Sequence, residues 1–416
     1  MQTKTNERSL PKGWQWVKFG DVIAESQPGF ASGQRDSNGV IQLRMNNVDT
    51  RGNLLWDEFI RVPADKAAIE KYKLKPGDIV FNNTNSTELV GKSALFNNHG
   101  EAIVYSNHFT RLRVKPDVAD PSFVTQWLIS QWQAKTFEKI CNRWIGQSAV
   151  KTDKLFVLEI PLPPLDEQRR IASRLNEQLA AVESARKAAE EQLHVAWELP
   201  SAYLRDVFES EEAMKWNKVR LGDLASSGPS NGIFKRRHEF GRGTPLINVS
   251  DLFRTMAIDL SELERVETNS KELAHYGVKS GDLFFCRSSI KREGVGWCAY
   301  LSKLPEPAVF DSHVMRLTPD KSRVLTEYIA YYWQLPQVRK AVIENAKTAT
   351  MTTMNQSDLI KVEIPLAPII EQKRIVQYLS DKFAQTESAV NNLEFQLAEI
   401  ESLPASLLRE GFAGKL

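Results

Sequence analysis

Two stretches of this chain carry apolar residues at alternating spacings of three and four. In the first they are Ala172, Leu175, Leu179, Val182, Arg186, Ala189, Leu193 and Ala196, with Arg186 the one polar intruder. In the second they are Val376, Leu379, Phe383, Thr386, Val390, Leu393, Leu397 and Ile400, interrupted at Thr386. Residues three and four apart share one helix face. A stripe sustained over four heptads fits a coiled-coil seam better than a face laid on a globular core. The flanking positions Glu183, Lys187, Glu190 and Glu191 are charged, as a solvated face requires. Each helix is expected to run about 30 residues, roughly 45 Å at 1.5 Å per residue, with the two antiparallel.

Elsewhere the apolar residues come in short runs bounded by glycine and asparagine. Val40-Ile41-Gln42-Leu43, Asp78-Ile79-Val80-Phe81 and Ala102-Ile103-Val104-Tyr105 read as half-buried strands. So do Leu246-Ile247-Asn248-Val249, Asp282-Leu283-Phe284-Phe285 and Ala308-Val309-Phe310. Tryptophan-rich strand signals open two segments, at 13–19 and 215–221, and Gly-, Ser- and Arg-rich loops are expected at 27–39 and 226–243. Helices are expected at 121–140 and 325–345. The proline-rich segment 160–165 cannot be helical and reads as a rigid hinge before the first long helix.

These elements come in pairs because the chain repeats itself. Glu159-Ile160-Pro161-Leu162-Pro163-Pro164 and then Glu167-Gln168-Arg169-Arg170-Ile171 recur 204 positions on as Glu363-Ile364-Pro365-Leu366-Ala367-Pro368 and Glu371-Gln372-Lys373-Arg374-Ile375. The same offset links Gly77-Asp78 to Gly281-Asp282, Leu199-Pro200 to Leu403-Pro404, and each member of one heptad stripe to the other. A duplicated chain with two long spacers does one thing twice, at a set separation. The partition expected is a domain at 1–160, a spacer helix at 161–208, a second domain at 209–364 and a second spacer at 365–416.

Composition narrows the chemistry. A net charge of +2 excludes a strongly polybasic protein but leaves room for charge gathered on one face. Three widely spaced cysteines, Cys141, Cys286 and Cys298, argue for a reducing compartment and against a disulfide framework. Residues 1–7 have no apolar core of a leader, and no run of 18 apolar residues occurs, so the cytoplasm is expected and no membrane contact.

The catalytic motifs fall away one by one. Gly91-Lys92-Ser93 has the tail of a P-loop, but its first glycine would fall at Ser86. Asn82-Asn83-Thr84-Asn85 lacks the two prolines and the aromatic of the amino-methyltransferase tetrapeptide. The six histidines are scattered and none pairs with a cysteine at ligand spacing. His108 and His313 do correspond between repeats, a position where a strand-edge structural residue is commoner than a base or a DNA contact. A duplicated enzyme should duplicate its catalytic groups, and no such set recurs. What differs between the copies is the polar residues of the loops. Phe234-Lys235-Arg236-Arg237-His238-Glu239-Phe240-Gly241-Arg242-Gly243 stands against Phe30-Ala31-Ser32-Gly33-Gln34-Arg35-Asp36-Ser37-Asn38-Gly39. Arg287-Ser288-Ser289-Ile290-Lys291-Arg292 stands against Asn83-Thr84-Asn85-Ser86-Thr87-Glu88. Arg, Lys and Asn pair with base edges and contact phosphates. Two modules reading different targets through one framework would look like this; so would ordinary solvated loops.

The segment Lys75-Pro76-Gly77-Asp78-Ile79-Val80-Phe81-Asn82-Asn83-Thr84-Asn85-Ser86, followed by Glu88-Leu89-Val90-Gly91-Lys92, resembles the target recognition domain of type I restriction–modification specificity subunits. The proline-rich segment with Glu-Gln-x-Arg-Ile leading into a long helix, present twice, strengthens the resemblance and extends it over nearly the whole chain. Cys286-Arg287 replaces the Asn82-Asn83 pair in the second copy, so the resemblance carries over a scaffold there and no particular base contact. It implies an α+β chain: two mixed α/β target recognition domains joined by two long antiparallel coiled-coil helices, an internal duplication with pseudo-twofold character. It implies a subunit without catalysis, each domain reading one half of a split site in double-stranded DNA. The helices would set the gap and dock two modification subunits, which bring S-adenosylmethionine, so that no cofactor belongs to this chain. Restriction subunits with translocase and endonuclease activity would join for cleavage. The residues expected on DNA are Arg35, Arg44, Asn82, Asn83, Asn85 and Lys92 in the first repeat and Lys235, Arg236, Arg237, Arg242, Arg287, Lys291 and Arg292 in the second. The rival reading is a coiled-coil adaptor whose two duplicated domains bind proteins.

Overall fold

The computed structural model describes residues 10–348 and 351–416; the stretch 1–7, read above for a leader, lies outside them. The chain forms two compact units, one of Met1–Glu190 with Gln396–Leu416 and one of Glu191–Phe395, so each long helix contributes to both.

In the first unit, β1 (Gln15–Lys18), β2 (Ile23–Pro28), β3 (Val40–Leu43), β4 (Ile60–Val62), β5 (Asp78–Asn82), β6 (Thr84–Asn85), β7 (Ser93–Phe96), β8 (Ile103–Tyr105) and β9 (Phe109–Val114) precede α1 (Pro121–Gln133) and α2 (Thr136–Ile140). Then come β10 (Asn142–Trp144), β11 (Gln147–Ala149), β12 (Glu159–Leu162) and the long helix α3 (Leu165–Phe208). The central sheet has the order β2-β9-β5-β7 and is antiparallel throughout. A second sheet, β4-β3-β8, includes a parallel pair, and β10-β11-β6 makes a small third one. Both faces of the central sheet are covered, which explains the unbroken apolar runs. Ile79, Phe81 and Leu112 face a core built with Phe123, Trp127 and the start of α3. Val80, Phe96 and Phe109 face the other, with Ile41 and Tyr105.

The second unit repeats this strand for strand. It contains β13 (Lys218–Arg220), β14 (Ala225–Asn231), β15 (Phe240–Ile247), β16 (Arg265–Val266), β17 (Leu283–Cys286), β18 (Ser288–Ser289), β19 (Cys298–Tyr300), β20 (Val309–Phe310) and β21 (Val314–Pro319). After these come α4 (Thr326–Trp333), α5 (Pro336–Asn345), β22 (Lys347–Thr348), β23 (Thr352–Thr353), β24 (Glu363–Pro365) and the second long helix α6 (Ile369–Phe412). Its sheets are ordered β14-β21-β17-β19, β16-β15-β20 and β18-β23-β22, the orders of the first unit.

Several expectations are corrected. Each long helix has 44 residues, not about 30, because it continues through Pro200 or Pro404. At 1.5 Å per residue that is roughly 66 Å. The proline-rich segment, read as a rigid hinge, is in part a strand: β12 pairs with β1, setting Pro161 opposite Trp16, where a residue without an N–H costs little in a two-stranded sheet. The helix expected at 121–140 breaks at Lys135, whose φ of 58° is left-handed, and its partner breaks before Pro336. The expected loops at 27–39 and 226–243 are partly strand. β15 runs through Gly241 and Gly243, which absorb a bulge at φ of 104° and 99°; a Cβ on Gly243 would lie 2.5 Å from the carbonyl oxygen of Val266.

The duplicated Glu-Gln-x-Arg-Ile motif now has a physical meaning. Gln168 is fully buried and accepts from the backbone N–H of Asp120 at 2.9 Å while donating to the carbonyls of Val118 (3.0 Å) and Pro163 (2.9 Å). Gln372 does the same with Leu325 N–H (2.8 Å), Arg323 O (3.1 Å) and Ala367 O (2.8 Å). Each glutamine sews the first turn of a long helix to the loop before the domain's own helix. Ile171 and Ile375, at the motif's end, sit in the adjoining cores. The arginine is peripheral: Arg170 pairs with Glu167 and Arg374 with Glu371 on the exposed face.

Within each unit the two helices run in opposite directions. The first unit packs Leu175, from the start of α3, with Leu408, from the end of α6. The second packs Leu204 and Phe208, from the end of α3, with Ile375 and Leu379 from the start of α6. The stripe residues are buried or half-buried throughout, as a two-stranded seam dictates. Its two polar interruptions satisfy themselves. Arg186 pairs with Glu183 at 2.7 Å and with Glu190, and Thr386 returns its hydroxyl to Lys382 O at 2.9 Å.

Candidate nucleic-acid interface

β5 ends where its sequence turns from apolar to amide, and the turn holds itself together with those amides. Asn82 is fully buried, donating to the carbonyls of Thr84 (3.1 Å) and His108 (2.9 Å) and accepting from the Asn85 amide at 2.6 Å. Asn83 donates to Thr110 Oγ1 at 2.8 Å and accepts from Thr84 Oγ1 at 2.7 Å. Asn85 also accepts from Ser86 N–H at 2.8 Å. The backbone of Asn83 bonds His108 O on one side and receives Val150 N–H on the other. A base edge cannot reach Asn82 in this arrangement; its amide shapes the loop, and Asn83 and Asn85 remain half-exposed beside it.

Lys92 is likewise turned inward. It is buried, and its ammonium donates to Met45 O at 3.1 Å and to Val48 O. Burial holds its pKa below the usual lysine value. Gly91, at φ of 92°, packs directly on the Phe137 ring and is a turn glycine, with no phosphate cradle around it. Lys235 is a second inward cation, held by Glu272 at 2.8 Å and Glu239 at 3.1 Å. Arg242 is 84% exposed but paired with Glu267 at 2.5 Å.

The other cations are differently placed. Arg35 is exposed, and half-buried Arg44 spends one nitrogen on Ser32 O at 2.8 Å while its Nε is buried with no partner. Burial first, and then the neighbouring charge of Arg35, hold the Arg44 pKa below its usual value. His108 is pushed down too, by burial and then by Arg44. Arg35 and Arg44 thus form a cationic pair beside His108, whose neutral form they favour, and neither arginine has an ion pair among the described residues. In the second unit Arg236, Arg237, Lys291 and Arg292 are exposed and also without an ion pair among the described residues. Arg287 is half-buried, donating to Ser312 O at 3.2 Å.

Sequence reasoning missed the apolar residues beside these loops. The β10–β11 hairpin pairs with β6 and exposes Trp144 and Ile145 at its tip. Ile290, after β18, is exposed just before Lys291. Only the three-dimensional pairing of the hairpin with β6 reveals that they adjoin the polar loops. Among the described residues no group of His, Cys, Asp and Glu is placed to hold a metal ion, and no helix is long and apolar enough to cross a membrane.

Among the described residues the chain is thus a duplicated α+β protein, with exposed cations free of ion pairs on loops that differ between the copies and a glutamine-stitched helix after each copy. Residues 11–192 and 214–394 each match the type I restriction modification DNA specificity domain, and the chain belongs to that family, as a specificity subunit with two target recognition domains. It is 25% identical over 393 residues to the type I restriction enzyme EcoKI specificity subunit of Escherichia coli K12, covering 90% of this chain and 82% of that one. Against the StySPI specificity subunit of Salmonella potsdam it is 23% identical over 434 residues, covering 99% and 91%. In fold it resembles the HsdS subunit from Thermoanaerobacter tengcongensis, with a TM-score of 0.61, 21% identity and full coverage of both chains. It also resembles a chain solved in work on complex assembly and conformational transition of the type I R-M system, with a TM-score of 0.73 and 22% identity, over 98% of this chain and 100% of that one.

Proposed function

We propose that each target recognition domain reads one half of a bipartite sequence in duplex DNA, that the paired helices set the gap between the halves and dock two modification subunits, and that this chain performs no chemistry itself. One observation supports this most: the two units share every sheet order while their exposed, unpaired cations stand on loops of unrelated sequence. Identical scaffolds with different reading residues suit a split, asymmetric site. S-adenosylmethionine belongs, in this reading, to the modification subunits, and restriction subunits join for cleavage. Phosphate contacts by Arg35, Arg236 and their neighbours would supply register and affinity, and base edges would supply specificity.

Two measurements test it. Duplex binding by the chain should weaken steeply with salt, with a log–log slope near −0.9 per phosphate contact; a flat response would favour the protein-binding adaptor. The purified chain given S-adenosylmethionine and duplex should methylate nothing, whereas adding modification subunits should yield methylated adenine at a bipartite sequence. Methyl transfer by the chain alone would overturn the non-catalytic assignment.

A further inference from the structure

The tip of the β10–β11 hairpin is the strongest apolar projection of the first unit. Trp144 is 59% exposed and Ile145 is wholly exposed, although burying such side chains is what folding normally favours. The turn glycine that follows, Gly146, has φ of 77° and open space where a Cβ would point, so the tip stands clear of its own unit. The hairpin is anchored firmly. Ser148 is buried opposite Asn85 and shares a hydroxyl contact of 2.8 Å with Thr87, and Val150 N–H bonds Asn83 O at 2.9 Å. The base of the hairpin is thus tied to the loop that ends β5.

Its surroundings indicate what covers it. From the hairpin, backbone hydrogen bonds lead through Asn83 to His108, which lies within the electrostatic reach of Arg44, as Arg44 does of Arg35. Arg143, on the strand before Trp144, is exposed, as are Lys139 and Lys151 on the flanks; of the nearby carboxylates, Glu138 is paired with Lys135, and Glu88 lies within the field of Arg143 and Lys135. An apolar tip set among cations suits a polyanion with apolar interior faces, which describes stacked bases behind phosphates. The second unit puts an apolar residue at the other edge of the equivalent small sheet: Ile290, 87% exposed, follows β18 and precedes Lys291 and Arg292.

We infer that Trp144 and Ile145 form a wedge that enters a groove of duplex DNA and partly unstacks one base step, so that the first unit reads its half-site partly through how easily that step deforms. The inference rests on the DNA-reading function proposed above. Apolar wedges are used by groove-binding proteins to open steps, and the unstacking cost depends on sequence at positions that need no hydrogen-bonded contact.

The test uses the full chain and a random duplex library. Selected duplexes are probed with permanganate, which oxidises thymines that have lost their stacking. The wild-type chain should enrich a bipartite sequence with one hyper-reactive step in one half-site. W144A should bind the enriched duplex about tenfold more weakly, as expected for one lost stacking contact, and should lose the hyper-reactivity, while the other half-site is selected unchanged. W144F, which keeps a ring, should retain both. A mismatch at the step removes the unstacking cost, so it should tighten wild-type binding and help W144A much less. Wild-type affinity and reactivity in both W144A and I145S would overturn the wedge alone. So would an unchanged DNA pattern with lost binding of modification subunits, which would make the tip a protein contact. A wild-type chain that enriches no sequence would sink the DNA-reading function itself, and the wedge with it.

Discussion

Lys92 and Arg236 are both cations on segments that lead into strands, yet water treats them oppositely. Lys92 has given up solvent for two backbone carbonyls, whereas Arg236 keeps its guanidinium in water with no carboxylate partner. Their substitutions should therefore fail in different assays. K92M should leave the carbonyls of Met45 and Val48 unpaired and destabilise the first unit by about 1–3 kcal/mol, seen as a lower denaturation midpoint. A loss of DNA affinity with unchanged stability would instead return Lys92 to the interface. Replacing Arg236 and Arg237 by alanine should leave stability within about 0.5 kcal/mol, as surface changes do, and weaken DNA binding. If they touch base edges, discrimination at one base pair of one half-site should relax by about 1–3 kcal/mol. If they touch phosphates, all sequences should weaken alike and the salt slope should shrink by about one per contact. Unchanged binding would remove them from the site. Residue type and loop position could not separate these lysines and arginines, because the same letters serve as inward clamps and outward contacts; burial and carboxylate partners decide.

At the scale of elements, the most legible features were those in which local periodicity and tertiary burial agree. The heptad stripes became seams, and the apolar runs of β3, β5 and β8 became strands. The elements misread were those whose local signals oppose their tertiary setting. Pro200 and Pro404 mark a helix end by propensity, but Leu204 and Leu408 beyond them are buried in the adjoining cores, and that burial outweighs a lost N–H. Glycines in β15 read as a loop because a bulged strand needs the same freedom of φ as a turn. The Glu-Gln-x-Arg-Ile motif was visible as a repeat, but its working residue was not, since only the fold brings Asp120 and Val118 to Gln168. Q168L should cost about 2–4 kcal/mol, through two carbonyls and one N–H left buried without partners. The control R170A, which removes an exposed side chain paired with Glu167 and bonded to Leu416 O, should cost far less. Equal costs in thermal denaturation would contradict this assignment of roles.

At the scale of the whole molecule, the spacer can be tested as a ruler. The repeat makes Thr386 the equivalent of Val182, but equivalence along the chain is not opposition in space. In the first unit Val182 lies by Ile400 and Glu401. A heptad inserted after Val182 should therefore be matched by one between Ile400 and Glu401. That preserves the seam and lengthens each helix by about 10 Å, or about three base pairs of duplex. Methylome sequencing of cells carrying the variant and its partner subunits should return both half-sites unchanged with a wider gap. An insertion of two residues turns the seam by about 200° and should impair folding. An unchanged gap in a folded, active heptad variant would move the ruler out of the helices.

By itself the sequence determined the duplication, the seams and the alternation of apolar strands, because all of these are periodic or local and survive without knowledge of neighbours. The tertiary structure decided which cations face water, which amides stitch the chain inward, how far the helices run and which residue stands opposite which. It also brought the Trp144 hairpin beside the loop that ends β5. Those outcomes depend on contacts between residues many positions apart, as between Gln168 and Val118 or Lys92 and Val48, and no local pattern records such a contact before the chain has closed on itself.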